Sequence, residues 1–99
     1  MSREQLLIAF GAQVRAMRLK RGISQERLAE LCTFHRNYVG AVERGENNLT
    51  LVNVGKLAAA LGVTMAELFA DVPTYEGLRE EYLSAWKERD RSKLPPWYR

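Results

Sequence analysis

Nowhere in its 99 residues does this chain sustain the apolar–polar alternation that a half-buried strand requires. Apolar side chains instead recur at spacings of three and four, in short runs closed by capping residues or glycines. Leu6, Leu7, Phe10, Val14, Met17 and Leu19 predict a first helix from Gln5 to Lys20, stopped at Gly22. Ser24 is a good N-cap for a second helix, whose stripe of Leu28, Ala29, Leu31 and Cys32 lasts only two turns. Tyr38, Val39 and Val42 share one face of a third, short helix over residues 36–44, and Gly45 suits a left-handed C-terminal position. Thr50 caps a fourth helix running through Leu51, Val54, Leu57, Ala58 and Leu61 to Gly62. Thr64-Met65-Ala66-Glu67 matches a capping box and opens a brief fifth, Met65 to Phe69. The reading is all-α, a compact five-helix domain over residues 1–72, with no internal repeat to suggest a solenoid.

Pro73 breaks the pattern, and from Tyr75 a new stripe of Leu78, Tyr82, Leu83 and Trp86 predicts a sixth helix. Beyond it, Pro95-Pro96-Trp97-Tyr98 cannot continue a helix and forms a short tail. Residues 73–99 are thus a C-terminal helical extension. It is no basic arm: residues 1–72 hold 9 basic and 7 acidic side chains, residues 73–99 hold 6 and 5. Its aromatic stripe is too apolar for a solvated face and must cover either its own core or a partner.

A single cysteine and a single histidine exclude an internal disulfide and any Cys/His metal cluster. No cofactor or metal is expected. No acid–base pair, nucleophile motif or phosphate-cradling glycine loop is present, so the chain does not read as an enzyme. The longest apolar runs are five residues, such as Leu6-Leu7-Ile8-Ala9-Phe10, far short of a membrane span, and Met1-Ser2-Arg3-Glu4 is no secretory leader. A cytoplasmic protein is expected, with no membrane partner. The net charge of +3 and a pI near 9.3 lean toward an anionic partner.

Two short helices joined by a tight turn, the second starting with polar residues, is the layout of a helix-turn-helix that places its second helix in a DNA major groove. The residues filling that layout make it specific. Ser24-Gln25-Glu26, Leu28-Ala29, His35-Arg36-Asn37-Tyr38-Val39, Val42-Glu43-Arg44-Gly45 and Leu57-Ala58-Ala59-Ala60-Leu61-Gly62-Val63 together resemble the repressor-like helix-turn-helix family of the Xre type, over about residues 10–69. Within it, His35-Arg36-Asn37-Tyr38, Val42-Glu43-Arg44-Gly45, Asn48-Leu49-Thr50-Leu51 and Asn53 look most like the controller proteins of restriction-modification systems. That resemblance implies a small dimeric regulator that activates or represses its own operon by binding a palindromic operator. The chain departs from it by its C-terminal extension, by Asn47 where many controllers carry a basic residue, and at Thr33. The family often has Gly or Asn there, and a β-branched residue at positive φ is strained, so the turn is a place where geometry can differ.

With the third helix starting at Arg36, its first turn faces the DNA, and a guanidinium can bond bidentately to guanine O6 and N7. Arg36 is the leading base-reading candidate. Asn37 either pairs with adenine or bonds its own backbone at the helix start. Tyr38 has an apolar body for packing and a hydroxyl for a phosphate. Ala41 is too short for anything but a thymine methyl. Backbone contacts are expected from Gln25 in the first turn of the second helix, from Arg44 with the Asn47-Asn48 loop, and from Thr50, which also caps. His35 is read as an N-cap or phosphate neighbour, and Cys32 as a small buried hydrophobe. Gly40 inside a helix costs about 1 kcal/mol relative to Ala, which close backbone approach to the second helix or to DNA would explain.

The resemblance further implies a partly buried salt bridge between Arg18 and Glu43, architectural rather than base-reading. It also implies a homodimer interface on the fourth and fifth helices, involving Val52, Val63, Met65 and Phe69. Tyr82 and Trp86 of the sixth helix offer a rival interface. The function expected is a sequence-specific, homodimeric DNA-binding transcription regulator that autoregulates a restriction-modification operon. The alternative is a phage-type repressor or antitoxin whose C-terminal helix engages a protein partner.

Overall fold

A computed structural model describes residues 2–72 and Ser92. The expected sixth helix, the Pro-containing tail, Tyr82, Trp86 and, apart from Ser92, the extension over residues 73–99 lie outside the described residues. Among the described residues there are five helices and no strand: α1 (Arg3–Lys20), α2 (Gln25–Cys32), α3 (Arg36–Glu43), α4 (Leu51–Leu61) and α5 (Met65–Phe69). No helix among them is long and apolar enough to cross a membrane.

The helix starts follow cap chemistry. Ser24, Thr50 and Thr64 each accept the backbone N–H three residues on, and Thr64 is reciprocated by Glu67. The first helix begins two residues before the expected Gln5, at Arg3, because Ser2 and Gln5 form a further capping box: Gln5 N–H reaches Ser2 Oγ at 3.2 Å and Ser2 N–H reaches Gln5 Oε1 at 2.7 Å. The apolar stripe starts a turn later than the backbone does, and periodicity alone missed that turn. The third helix ends at Glu43 with Arg44 as its cap, a one-residue difference of the kind that fraying ends produce.

Thr33 ends α2 at φ 61° and ψ 38°, in the left-handed region. The turn therefore keeps the geometry that a glycine would take, and the strain is carried rather than avoided. Phe34 shows what holds it there. Its N–H bonds the Ala29 carbonyl at 2.8 Å in a Schellman-like closure, its ring meets Tyr38 edge-on at 4.8 Å, and Lys56 of α4 lies 5.5 Å over its face.

The core is built from every helix, with Leu28, Val39, Leu57 and Leu68 fully excluded from solvent. Two glycines set the crossing of α1 and α3. A Cβ at Gly11 would overlap the Val42 carbonyl and come within 2.8 Å of the Glu43 carbonyl. Gly45, at φ +75°, passes so near α1 that a Cβ would lie 2.6 Å from the Ile8 Cα. Backbone against backbone at this distance fixes where the C-terminus of α3 sits relative to α1. Arg21 performs a related service for α4: its Nε donates to the Leu61 carbonyl at 2.7 Å and its Nη2 to the Gly62 carbonyl at 3.3 Å, satisfying a helix C-terminus from another element. Cys32 is buried, and desolvation pushes its thiol above the ordinary range.

Candidate nucleic-acid interface

His35 caps α3 through its imidazole, with Nδ1 accepting the Asn37 N–H at 3.1 Å. That cap turns the first residues of the helix outward. Arg36 and Asn37 are both exposed, and no hydrogen bond or ion pair among the described residues holds either side-chain head group. The opposite face, Val39 and Val42, is sunk into the core, so α3 presents one polar edge and buries the other.

Gln25 stands at the first position of α2. Together with Arg36, Asn37, Gly40 and Arg44 it lines a shallow polar concavity between the two helices. Gly40 forms its floor. A Cβ there would lie 3.0 Å from Arg44 Nη1 and 3.7 Å from Gln25 Oε1, so glycine keeps the space between the two side chains open. Close approach of α2 is not what requires it, since the nearest atoms are side-chain ends.

Beneath this concavity lies a buried ionic network. Arg18 of α1 donates from Nε to Glu43 Oε2 at 2.7 Å and from Nη2 to Glu43 Oε1 at 2.9 Å, while its Nη1 reaches the Ile23 carbonyl at 3.0 Å. The bond to Glu43 raises the Arg18 pKa against the opposing effect of burial. Glu43 Oε1 accepts a further bond, from Gln25 Nε2 at 3.0 Å. Sequence reasoning had no access to this third bond, because nothing in the spacing of Gln25 and Glu43 signals it.

The remaining expected contacts fall around this centre with differing commitments. Arg44 is exposed and chelated by Glu46, Nε to Oε1 at 2.8 Å and Nη2 to Oε2 at 3.1 Å. This pairing raises the arginine pKa and holds the Glu46 carboxyl below its usual range. Tyr38 is half-buried; its ring packs on Phe34 and its hydroxyl accepts from Asn53 Nδ2 of α4 at 3.1 Å. Asn53, one residue of the family pattern, is thus the hydrogen-bond partner of Tyr38. Asn47 is half-buried, while Asn48 and Thr50 are exposed, and Thr50 caps α4.

On α4 and α5 the structure separates the four expected interface residues. Val52 is 67% exposed and its neighbour Leu51 75%, although both are aliphatic. Phe69 is 41% exposed and stacks on Phe10 with ring centroids 5.1 Å apart, at the edge of an apolar groove lined by Leu6, Leu7, Leu49 and Val54. Val63 and Met65 are partly buried against the core of their own chain.

A helix-turn-helix family model matches residues 14–68. The control protein C.BamHI of Bacillus amyloliquefaciens is 45% identical over 62 residues, 62% of this chain and 76% of that protein. The crystal structure of the restriction-modification controller protein C.AhdI from Aeromonas hydrophila is similar with a TM-score of 0.63 at 51% identity, covering 64% of this chain and 96% of that one. The controller C.Esp1396I, solved as a tetramer in complex with its natural 35 base-pair operator, is similar with a TM-score of 0.63 at 28% identity, over 68% of this chain and 88% of that one. The outward-turned start of α3, the polar concavity shared with α2 and these matches agree: the chain belongs to the helix-turn-helix family, among relatives that are control proteins of restriction-modification systems.

Proposed function

We propose that this protein is a sequence-specific transcription regulator that binds an operator as a homodimer and controls its own restriction-modification operon. The observation that carries the reading is the start of α3, where Arg36 and Asn37 stand exposed beside Gln25 and Arg44 on one polar surface. Arg36 reads guanine, Asn37 contributes at the neighbouring pair, and Gln25, Tyr38, His35, Arg44, Asn47, Asn48 and Thr50 contact the backbone around them. Neither a catalytic step nor a cofactor is part of this mechanism, and its setting is the cytoplasm.

One module spans only a few base pairs, so two copies reading half-sites about 34–36 Å apart supply the specificity. Leu51, Val52 and Phe69 give the second copy an apolar surface to cover. The identity to control proteins favours this reading over a phage-type repressor or antitoxin, whose distinguishing partner contact would lie in residues 73–99.

The test is footprinting on the DNA upstream of the gene, with salt titration of the affinity. A protected palindrome and a steep fall of log affinity with log salt are expected. Absence of a protected palindrome, or a flat salt response, overturns the proposal.

A further inference from the structure

Glu43 differs from an ordinary salt-bridge carboxylate in what it does with its second lone pairs. Oε2 takes Arg18 Nε, while Oε1 takes both Arg18 Nη2 and Gln25 Nε2. The Glu43 side chain is 2% exposed, whereas Gln25 is only half-buried and reaches the polar concavity. One carboxylate thus connects a buried cation to a surface amide.

We infer that Glu43 is a positioning residue for DNA backbone contact, orienting the Gln25 amide so that its free N–H faces the phosphate. This rests on the operator-binding reading above. An amide has two faces that look alike in shape and are opposite in charge, one donating and one accepting. Left to itself at a helix start, a glutamine rotates and offers either. Against the Glu43 carboxylate only the nitrogen is tolerated, because the carbonyl oxygen would meet a negative oxygen at hydrogen-bond distance. One N–H of Nε2 is consumed at 3.0 Å, and the geometry of the planar amide directs the other away from Glu43. That is the orientation a phosphate needs, next to the first N–H groups of α2, which have no intrahelical partner.

Arg18 completes the device. Its guanidinium neutralises Glu43, so the carboxylate can sit under a phosphate site without repelling the DNA at full charge. Being bidentate, the pair fixes Glu43 in direction as well as in place. A preset amide has less rotational freedom to lose when DNA arrives, and affinity rises by the freedom already lost.

The test combines side-chain NMR on the free protein with a double-mutant cycle on binding. In the intact 15N,13C-labelled chain, a scalar coupling between Gln25 Nε2 and the Glu43 carboxyl carbon is expected, carried by one of the two amide protons. Adding a 30-base-pair duplex of mixed sequence at low salt should then shift the second proton. An averaged, freely rotating Gln25 amide in the free protein overturns the inference, whether or not any variant folds.

In the cycle, Gln25→Ala should weaken the mixed-sequence duplex about tenfold, as loss of a bond to a charged group does. With affinity referred to the folded fraction, since Glu43→Gln strands the buried Arg18, this substitution should weaken binding in the wild-type background but have little further effect once Gln25 is Ala. Equal effects of Glu43→Gln in both backgrounds would mean a purely structural role and sink the inference. If the wild-type protein binds no duplex at any salt concentration while the coupling is present, the operator reading fails and the amide orientation stands as a free-state property alone.

Discussion

Arg18 and Glu43, twenty-five residues apart, meet through two parallel bonds of 2.7 and 2.9 Å that tie the last turn of α1 to the end of α3. Both are nearly excluded from solvent, with side-chain exposures of 9% and 2%. The geometry is bidentate, and Arg18 Nη1 makes a further bond to the Ile23 carbonyl. Removing one partner leaves a buried charge. Arg18→Met alone is expected to lower the unfolding free energy by about 3–5 kcal/mol, whereas Arg18→Met with Glu43→Leu recovers most of it, because no ion is then stranded. Urea unfolding of both variants checks this, and equal losses in the single and double variants would contradict it.

Thr33 holds a left-handed conformation that costs a β-branched L-residue about 1–2 kcal/mol. Glycine there removes the strain and adds some unfolded-state entropy. Thr33→Gly is expected to stabilise the fold by about 0.5–1 kcal/mol, measured as a rise in urea midpoint with an unchanged slope. DNA affinity should stay constant, because the turn already has the geometry that glycine would adopt.

Arg36→Ala should abolish discrimination at one or two base pairs of each half-site, about 1–3 kcal/mol per position, and leave thermal stability unchanged because the side chain is exposed. Competition between matched and single-substituted operators reads this directly. Unaltered preference would remove Arg36 from the base-reading role.

Glu46 places a carboxylate on Arg44, on the face proposed to meet DNA. Glu46→Gln frees the guanidinium and removes a negative charge, so affinity for any duplex should increase and the salt dependence should steepen. The Glu46 carboxyl lies below the ordinary range because Arg44 bonds its ionised form. A carboxyl so depressed stabilises the fold above its unfolded pKa and loses that contribution as pH falls through its lowered folded value. With both groups open to solvent the effect on stability is small. NMR titration of the Glu46 carboxyl carbon should show the lowered midpoint, and Arg44→Ala should return it to the usual range.

Among the described residues the helices, and most of their ends, were legible in the chain because each signal is local; the start of α1 at Arg3 was not. Ser24, Thr50 and Thr64 cap the backbone within three residues of themselves, and Gly45 and Gly62 stop helices at their own φ angles. The exposed edge of α3 was legible for the same reason: Arg36 and Asn37 stand in its first turn, ahead of the buried Val39 and Val42. Family resemblance extended this to the Arg18–Glu43 pair, which no spacing rule links.

What the linear order of residues could not convey is which long-range partner each polar atom takes. The joining of Gln25 to Glu43, of Asn53 to Tyr38 and of Arg21 to the end of α4 spans 18, 15 and 40 residues, and each depends on helices crossing at a particular distance. Gly11 and Gly45 set that distance for α1 and α3, where backbone lies against backbone, and the shared apolar core sets it for the other pairs. Local periodicity determined that the five helices of the described residues form and which face each one buries. Only their three-dimensional assembly decided which surface side chains are free, because a donor's freedom depends on acceptors that the chain brings to it from elsewhere.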